Sequence, residues 1–164
     1  MDLEVLRIAA NTDNNRNIEN RTHVSKLKNS VCGDEMQIEL ILKNEKILDF
    51  GYQGKSCVYC QASASLLSKI SINSQKEKIN DFCDKAELYF NDDIRITDKK
   101  WISINNQKEK INDLCDKAEL YFNDDVKIID KKWNSLKKLI KKKNINKKDC
   151  ILLPFKTLKK IVSI

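Results

Sequence analysis

The chain has 164 residues, 41% hydrophobic and 34% charged, which is room for one domain with its own core and fits neither a membrane-spanning nor a disordered protein. Its formal charge of +7 rests on Lys, 27 of the 31 basic residues, yet Lys, Ile and Asn together fill 64 positions and share AT-rich codons. The basicity alone therefore does not point to a nucleic-acid partner. The N-terminus shows no basic segment followed by an apolar run, and no apolar stretch approaches bilayer length, so neither export nor a membrane is expected. A cytoplasmic setting is reducing, and six cysteines there suggest metal or thiol chemistry rather than disulfide stapling.

In chain order, residues 2–10 read as a short helix and the Asn- and Arg-rich residues 11–21 as a loop. Val24 and Leu27 suggest a first strand. Met36, Ile38, Leu40 and Leu42 alternate with Gln37, Glu39 and Ile41, the period of two of a half-buried strand. Lys43-Asn44-Glu45-Lys46 reads as a turn, and Ile47 to Tyr52 as the strand that completes a hairpin. After Cys57 the sequence turns helical, and its small residues allow close packing. The tail after Trp133 is helical again, through Leu136, Leu139 and Ile140, then Leu153, Phe155, Leu158, Ile161 and Val162. Pro154 is expected in the first turn of that last helix, where a missing N–H is tolerated. The pattern predicts an α+β domain: a small antiparallel sheet of about three strands packed with helices.

Residues 71–101 recur as 103–133 with 26 of 31 positions identical and an offset of 32. Such identity reads as a tandem duplication of a helical insert within a single domain spanning 1–164, rather than a solenoid. In the first copy Ile79, Phe82, Cys83, Ala86, Tyr89 and Phe90 form one apolar stripe. Cys83 and its counterpart Cys115 lie on that stripe and read as core.

The other cysteines have a different setting. The three glycines, Gly33, Gly51 and Gly54, fall between Cys32 and Cys57. Cys32 and Asp34 share a Gly-containing loop before a strand, where a thiolate and a carboxylate can face one centre. Cys57 opens a helix, a position that lowers a thiol's pKa, and Cys150 stands at a comparable helix start. Three thiolates and a carboxylate suit tetrahedral zinc, and thiolates also suit iron–sulfur clusters. Cys57 follows Asp34 by 23 positions and Cys150 follows Cys57 by 93, which is no standard zinc-finger spacing and leaves open whether they share a centre. Cys57 and Cys60 also form a CxxC after a strand, as in thiol oxidoreductases, although the βαβ alternation of that fold is missing. A zinc-stabilised nucleic-acid module is a third possibility, with no aromatic platform among the basic residues to support it.

The stretches NSVCGDEMQIELIL (29–42), FGYQGKSCVYCQASASLL (50–67) and KKDCILLPFKTL (147–158) together resemble the NifU/IscU-like iron–sulfur cluster assembly scaffolds, nearest to the SufU-like branch. The resemblance covers roughly residues 1–70 and 130–164. It implies a scaffold, not an enzyme in the ordinary sense although a sulfurtransferase role is compatible, whose partners are a cysteine desulfurase and iron–sulfur acceptor proteins. It further implies that Cys32, Asp34, Cys57 and Cys150 hold a transient iron–sulfur cluster or zinc, with Cys57 and Cys150 as candidate persulfide acceptors. A hard oxygen ligand among thiolates weakens the site, as release of the cluster requires. A zinc-dependent sulfur acceptor without scaffolding is the variant reading. The IscU branch has a His directly before the last Cys, where this chain has Asp149; a substitute ligand is one reading of it, and an N-cap role is the one expected. Cys60 departs from the family pattern and reads as buried or as an accessory ligand. His23, the one histidine, reads as an ordinary strand residue. Removing one repeat leaves 61 positions between Cys57 and Cys150, close to the SufU-like spacing, so the extra copy is expected to project without separating the ligands. Residues 131–164 hold 12 Lys and one acid, a basic surface around Cys150 that suggests an acidic protein partner.

Overall fold

The period-two segments close into a meander. In a computed structural model describing residues 2–91, 135–136, 139 and 142–163, strands β1 (His23–Lys28), β2 (Glu35–Lys43) and β3 (Lys46–Gln53) form an antiparallel sheet in that order. Ser25 pairs with Ile38, and Ile38 with Tyr52. The β2–β3 turn places Asn44 and Glu45 at φ of 51° and 61°, the left-handed pair that matches the strand twist in a two-residue hairpin. Glu45 is an unusual choice there. It is buttressed by the Lys76 amide on its carbonyl at 2.8 Å and by the Lys76 ammonium on its carboxylate at 2.8 Å.

Among the described residues, four helices complete the α+β fold predicted from the sequence: α1 (Leu3–Ala9), α2 (Val58–Ser71), α3 (Lys76–Asn91) and α4 (Lys148–Val162). Helix α2 lies between neighbours, packing on α1, β3 and α4. Its buried Ala62, Ser63, Ala64 and Ser65 let those elements approach. The buried hydroxyls are satisfied by carbonyls, Ser63 on Ile151 at 2.6 Å and Ser65 on Asn11 at 2.9 Å. Helix α4 lies across α2, α3 and the β1–β2 side of the sheet, burying Ile151, Leu152, Phe155 and Leu158. Phe155 meets Phe82 of α3 with ring centroids 6.0 Å apart.

The apolar stripe of the first repeat is the face α3 buries, through Ile79, Phe82, Cys83 and Ala86. Cys83 is therefore core, as its position on the stripe predicts. Cys115, residues 92–101 and the whole second copy lie outside the described residues.

Two expectations for the last helix are corrected. A 3-10 turn over Lys142–Lys147 leads straight into α4, so the helix starts one residue before Asp149 and its N-cap is Lys147. Asp149 thus sits within the first turn, where an acid still complements the helix dipole. The same early start puts Pro154 inside the helix, where its ring removes the N–H that would bond the Cys150 carbonyl. Among the described residues, no helix is long and apolar enough to cross a membrane.

Candidate metal centre

Three pieces of chain meet at one end of the sheet. The first is the loop between β1 and β2. Asn29 closes it by donating its amide to the Asp34 carbonyl at 2.8 Å and accepting the Gly33 amide at 2.9 Å. Gly33 has φ of +75°, a left-handed conformation that a side chain would strain. Cys32 beside it is exposed, whereas Asp34 is only 7% exposed.

The second piece, between β3 and α2, is tied to the first through backbone. The Glu35 amide donates to the Lys55 carbonyl at 2.8 Å. Gly54 makes the approach possible, because a Cβ there would lie 1.9 Å from the Glu35 carbonyl oxygen. Cys57 is the N-cap of α2, and its amide donates to Asp34 Oδ1 at 3.0 Å. The Asp34 carboxylate thus caps the helix that carries Cys57, joining the two loops.

The third piece is α4, which brings Cys150. Its Sγ lies 3.5 Å from Cys32 Sγ. The Sγ atoms of Cys32 and Cys150 and a carboxylate oxygen of Asp34 all fall within 4.8 Å of one another. Cys57 stands beside this group without joining it, linked to it through its amide on Asp34 Oδ1. The helix start is anchored to α2, where Tyr59 donates to Asn144 Oδ1 at 3.4 Å while Asn144 Nδ2 donates to the Leu139 carbonyl at 2.8 Å. Of the four side chains singled out in the sequence, Cys32, Asp34 and Cys150 come together, across 118 positions of chain, and Cys57 lies next to them.

The donor set is chemically apt for a thiophilic cation. Asp34 Oδ2 is buried with no partner among the described residues, and a buried carboxylate oxygen left bare is costly unless a cation or proton meets it. Two soft sulfurs and one hard oxygen, with the Cys57 helix start adjoining them, suit zinc or iron. The expected easy ionisation of Cys57 is corrected. Burial pushes its thiol above the usual range, against the lowering effect of the Cys60 backbone amide, and the Asp34 carboxylate adds to the rise. Burial also pushes Cys150 up, with the neighbouring Cys32 and Cys57 sulfurs adding to it. An incoming cation supplies the charge that draws off such protons.

The remaining candidates stand apart. Cys60 is fully buried one turn into α2, with its thiol raised by desolvation, and does not join the group. His23 opens β1, its Nδ1 2.8 Å from Thr22 Oγ1. Asp149 is likewise not part of the group. Sequence reasoning missed Asn29 and the reason for Gly54. The first was legible as an Asn three residues before Cys32; the second depends on which carbonyl passes overhead.

The sequence profile described as the NifU-like N-terminal domain matches residues 2–85, about half of the chain. The iron–sulfur cluster assembly scaffold protein IscU of Thermotoga maritima is 33% identical over 70 residues, 43% of this chain and 49% of that protein, so the chain spans about half the length of this relative. Among solved structures, a NifU-like N-terminal protein from Brucella abortus superposes with a TM-score of 0.67 at 14% identity, covering 99% of this chain and 91% of that one. A protein described as a SUF-system cluster assembly scaffold from Fervidobacterium islandicum AW-1 gives 0.64 at 20% identity, with 97% and 93% covered. At those identities the two structures speak for the fold. With the matched profile running through the Cys32 loop, the Cys57 helix start and on into α3, the chain belongs to the NifU-like N-terminal domain family.

Proposed function

We propose that this protein is an iron–sulfur cluster assembly scaffold, with Cys32, Asp34, Cys57 and Cys150 holding the nascent cluster, or zinc in its place. The observation that supports the reading is the meeting of Cys32, Cys150 and Asp34, with Cys57 tied alongside by its amide, around a buried carboxylate oxygen with no partner among the described residues. Asp34 supplies the hard ligand that keeps binding reversible, and the helix N–H it accepts holds the carboxylate between the two loops. The protein holds and passes on cargo rather than turning over a substrate.

Sulfur comes from a cysteine desulfurase as persulfide. Cys57 and Cys150 were the acceptors expected from the sequence, but Cys32 is the exposed thiol of the set and the one an incoming persulfide reaches first. The Cys32 thiolate attacks the outer sulfur, the desulfurase S–S bond breaks, and the desulfurase thiolate leaves. The Lys-rich segment 131–164 around Cys150 gives desulfurase and acceptor proteins a basic surface to dock on. We read the chain as one cytoplasmic domain, with the second repeat as an insertion.

The test is anaerobic reconstitution with iron, cysteine and a desulfurase, followed by iron, zinc and sulfide analysis. Wild type is expected to hold either zinc as isolated or a labile cluster afterwards, and Cys150→Ser to lose both. Retention of metal and cluster by Cys150→Ser would contradict the four-residue assignment. Cys60→Ser separates the thiol-oxidoreductase alternative, since a CxxC mechanism fails without Cys60 and a scaffold does not.

A further inference from the structure

We propose that Asn29 is the positioning residue of this centre, and that its side-chain carbonyl sets the arm carrying Cys32 in the conformation that meets Cys150. The assignment of a role toward metal rests on the reading above; the placement of Cys32 does not.

Asn29 makes three hydrogen bonds inside the loop it opens. Two are main-chain bonds, its amide to Asp34 and its carbonyl from Gly33, and any non-proline residue could form them. The third needs a short side-chain acceptor, best supplied by Asn or Asp: Oδ1 accepts the Val31 amide at 2.9 Å, an Asx turn that reverses the chain within two residues. That reversal leaves Val31 outside, 82% exposed, while the next residue carries its sulfur back to 3.5 Å from Cys150. The loop needs the constraint, because Gly33 at φ +75° is the residue type that gives up most conformational freedom on ordering.

Burial argues that this is more than a surface turn. Asn29 is 9% exposed, so water has little access to replace its bonds. Its Nδ2 is buried without a partner among the described residues, a cost the loop carries while Oδ1 is in use. Asp34, at the other end of the same loop, is tied to the Asn29 amide by its carbonyl and to the Cys57 amide by its carboxylate. Asn29 therefore acts on both members of the arm, without touching the sulfur itself.

The test measures where Cys32 sits. Full-length protein is equilibrated in glutathione buffers, where one oxidised glutathione and the Cys32 and Cys150 thiols give a Cys32–Cys150 disulfide and two reduced glutathiones. Peptide mass mapping quantifies the disulfide. Asn29→Ala is expected to lower its formation constant about tenfold, the worth of one net hydrogen bond. Asn29→Asp, which keeps the acceptor, is expected to stay within about twofold of wild type. Asn29→Ser, a weaker version of the same turn, should fall between and serves if the alanine variant does not fold. An unchanged constant in Asn29→Ala, or equal loss in the aspartate variant, overturns the proposal. Cobalt(II) titration of the same variants adds a second readout, with Asn29→Ala losing roughly 10- to 100-fold in affinity and thiolate charge-transfer intensity. If wild type shows no tetrahedral thiolate–cobalt spectrum, the metal reading fails while the disulfide series still decides the role of Asn29.

Discussion

The two halves of the centre are held by different forces. Cys32, Asp34 and Cys57 lie on two loops joined by main-chain hydrogen bonds and one close glycine contact, all within residues 29–57. Cys150 arrives on a helix whose seat is apolar, with Ile151, Leu152, Phe155 and Leu158 buried against α2, α3 and the sheet. The first half is specified by directional bonds and the second by packing. Hydrogen bonds set positions to tenths of an ångström at modest net free energy, whereas burial contributes more energy with less direction. Each half should therefore fail in its own way.

Phe155→Ala attacks the second half and should have the largest effect. It removes the ring against Phe82 and leaves a cavity under α4, at a cost of about 3–5 kcal/mol read from the urea midpoint. Metal binding should weaken along with stability, since Cys150 loses its seat. Gly54→Ala attacks the first half. Its Cβ would require the Glu35 carbonyl to move, costing about 1–3 kcal/mol. Here binding should suffer more than the midpoint, because the two loops separate while the core stays packed. A midpoint loss in Gly54→Ala as large as in Phe155→Ala would dissolve the distinction.

The smaller effects sharpen it. Lys159 of α4 reaches Asp84 and Glu87 of α3 across the seat. Its hydrogen bond to Asp84 holds its ammonium above the ordinary value of 10.5. The stabilisation is thus complete below the unfolded value and lost as pH rises through the folded one. All three groups are partly exposed, so Lys159→Met should cost less than about 1 kcal/mol at pH 7 and flatten the alkaline decline above about pH 10.5. Smallest of all should be deletion of residues 103–134, which leaves 132 residues and the first repeat intact. Metal affinity is expected to stay within about twofold, because insertion length adds little closure free energy. A collapse of binding would mean that the second repeat belongs to the domain proper.

Much of this was legible in the sequence, for reasons that can be named. Alternation at Met36, Ile38 and Leu40 fixes which face of β2 is buried, and the stripe from Ile79 to Ala86 fixes how α3 lies. The meeting of Cys150 with Cys32 and Asp34 was legible through motif resemblance and not through spacing, since 118 positions separate the two cysteines. The start of α4 was misread because Lys147 and Lys148 carry no capping signal, while Asp149 does. The ionisation of Cys57 was misread because helix position is visible in a sequence and desolvation is not. Gly54 looks like any loop glycine until the Glu35 carbonyl is placed over it.

The 118 positions between Cys32 and Cys150 also impose an order on synthesis. At about 5–20 residues per second, Cys150 leaves the ribosome roughly 5–20 s after Cys57, which precedes it by 93 positions. In that interval the hairpin loops present two thiols and a carboxylate without their fourth member or the helix that seats it. Docking of the C-terminal helix is thus the step that brings the Cys150 sulfur to the Cys32 loop, and it comes last.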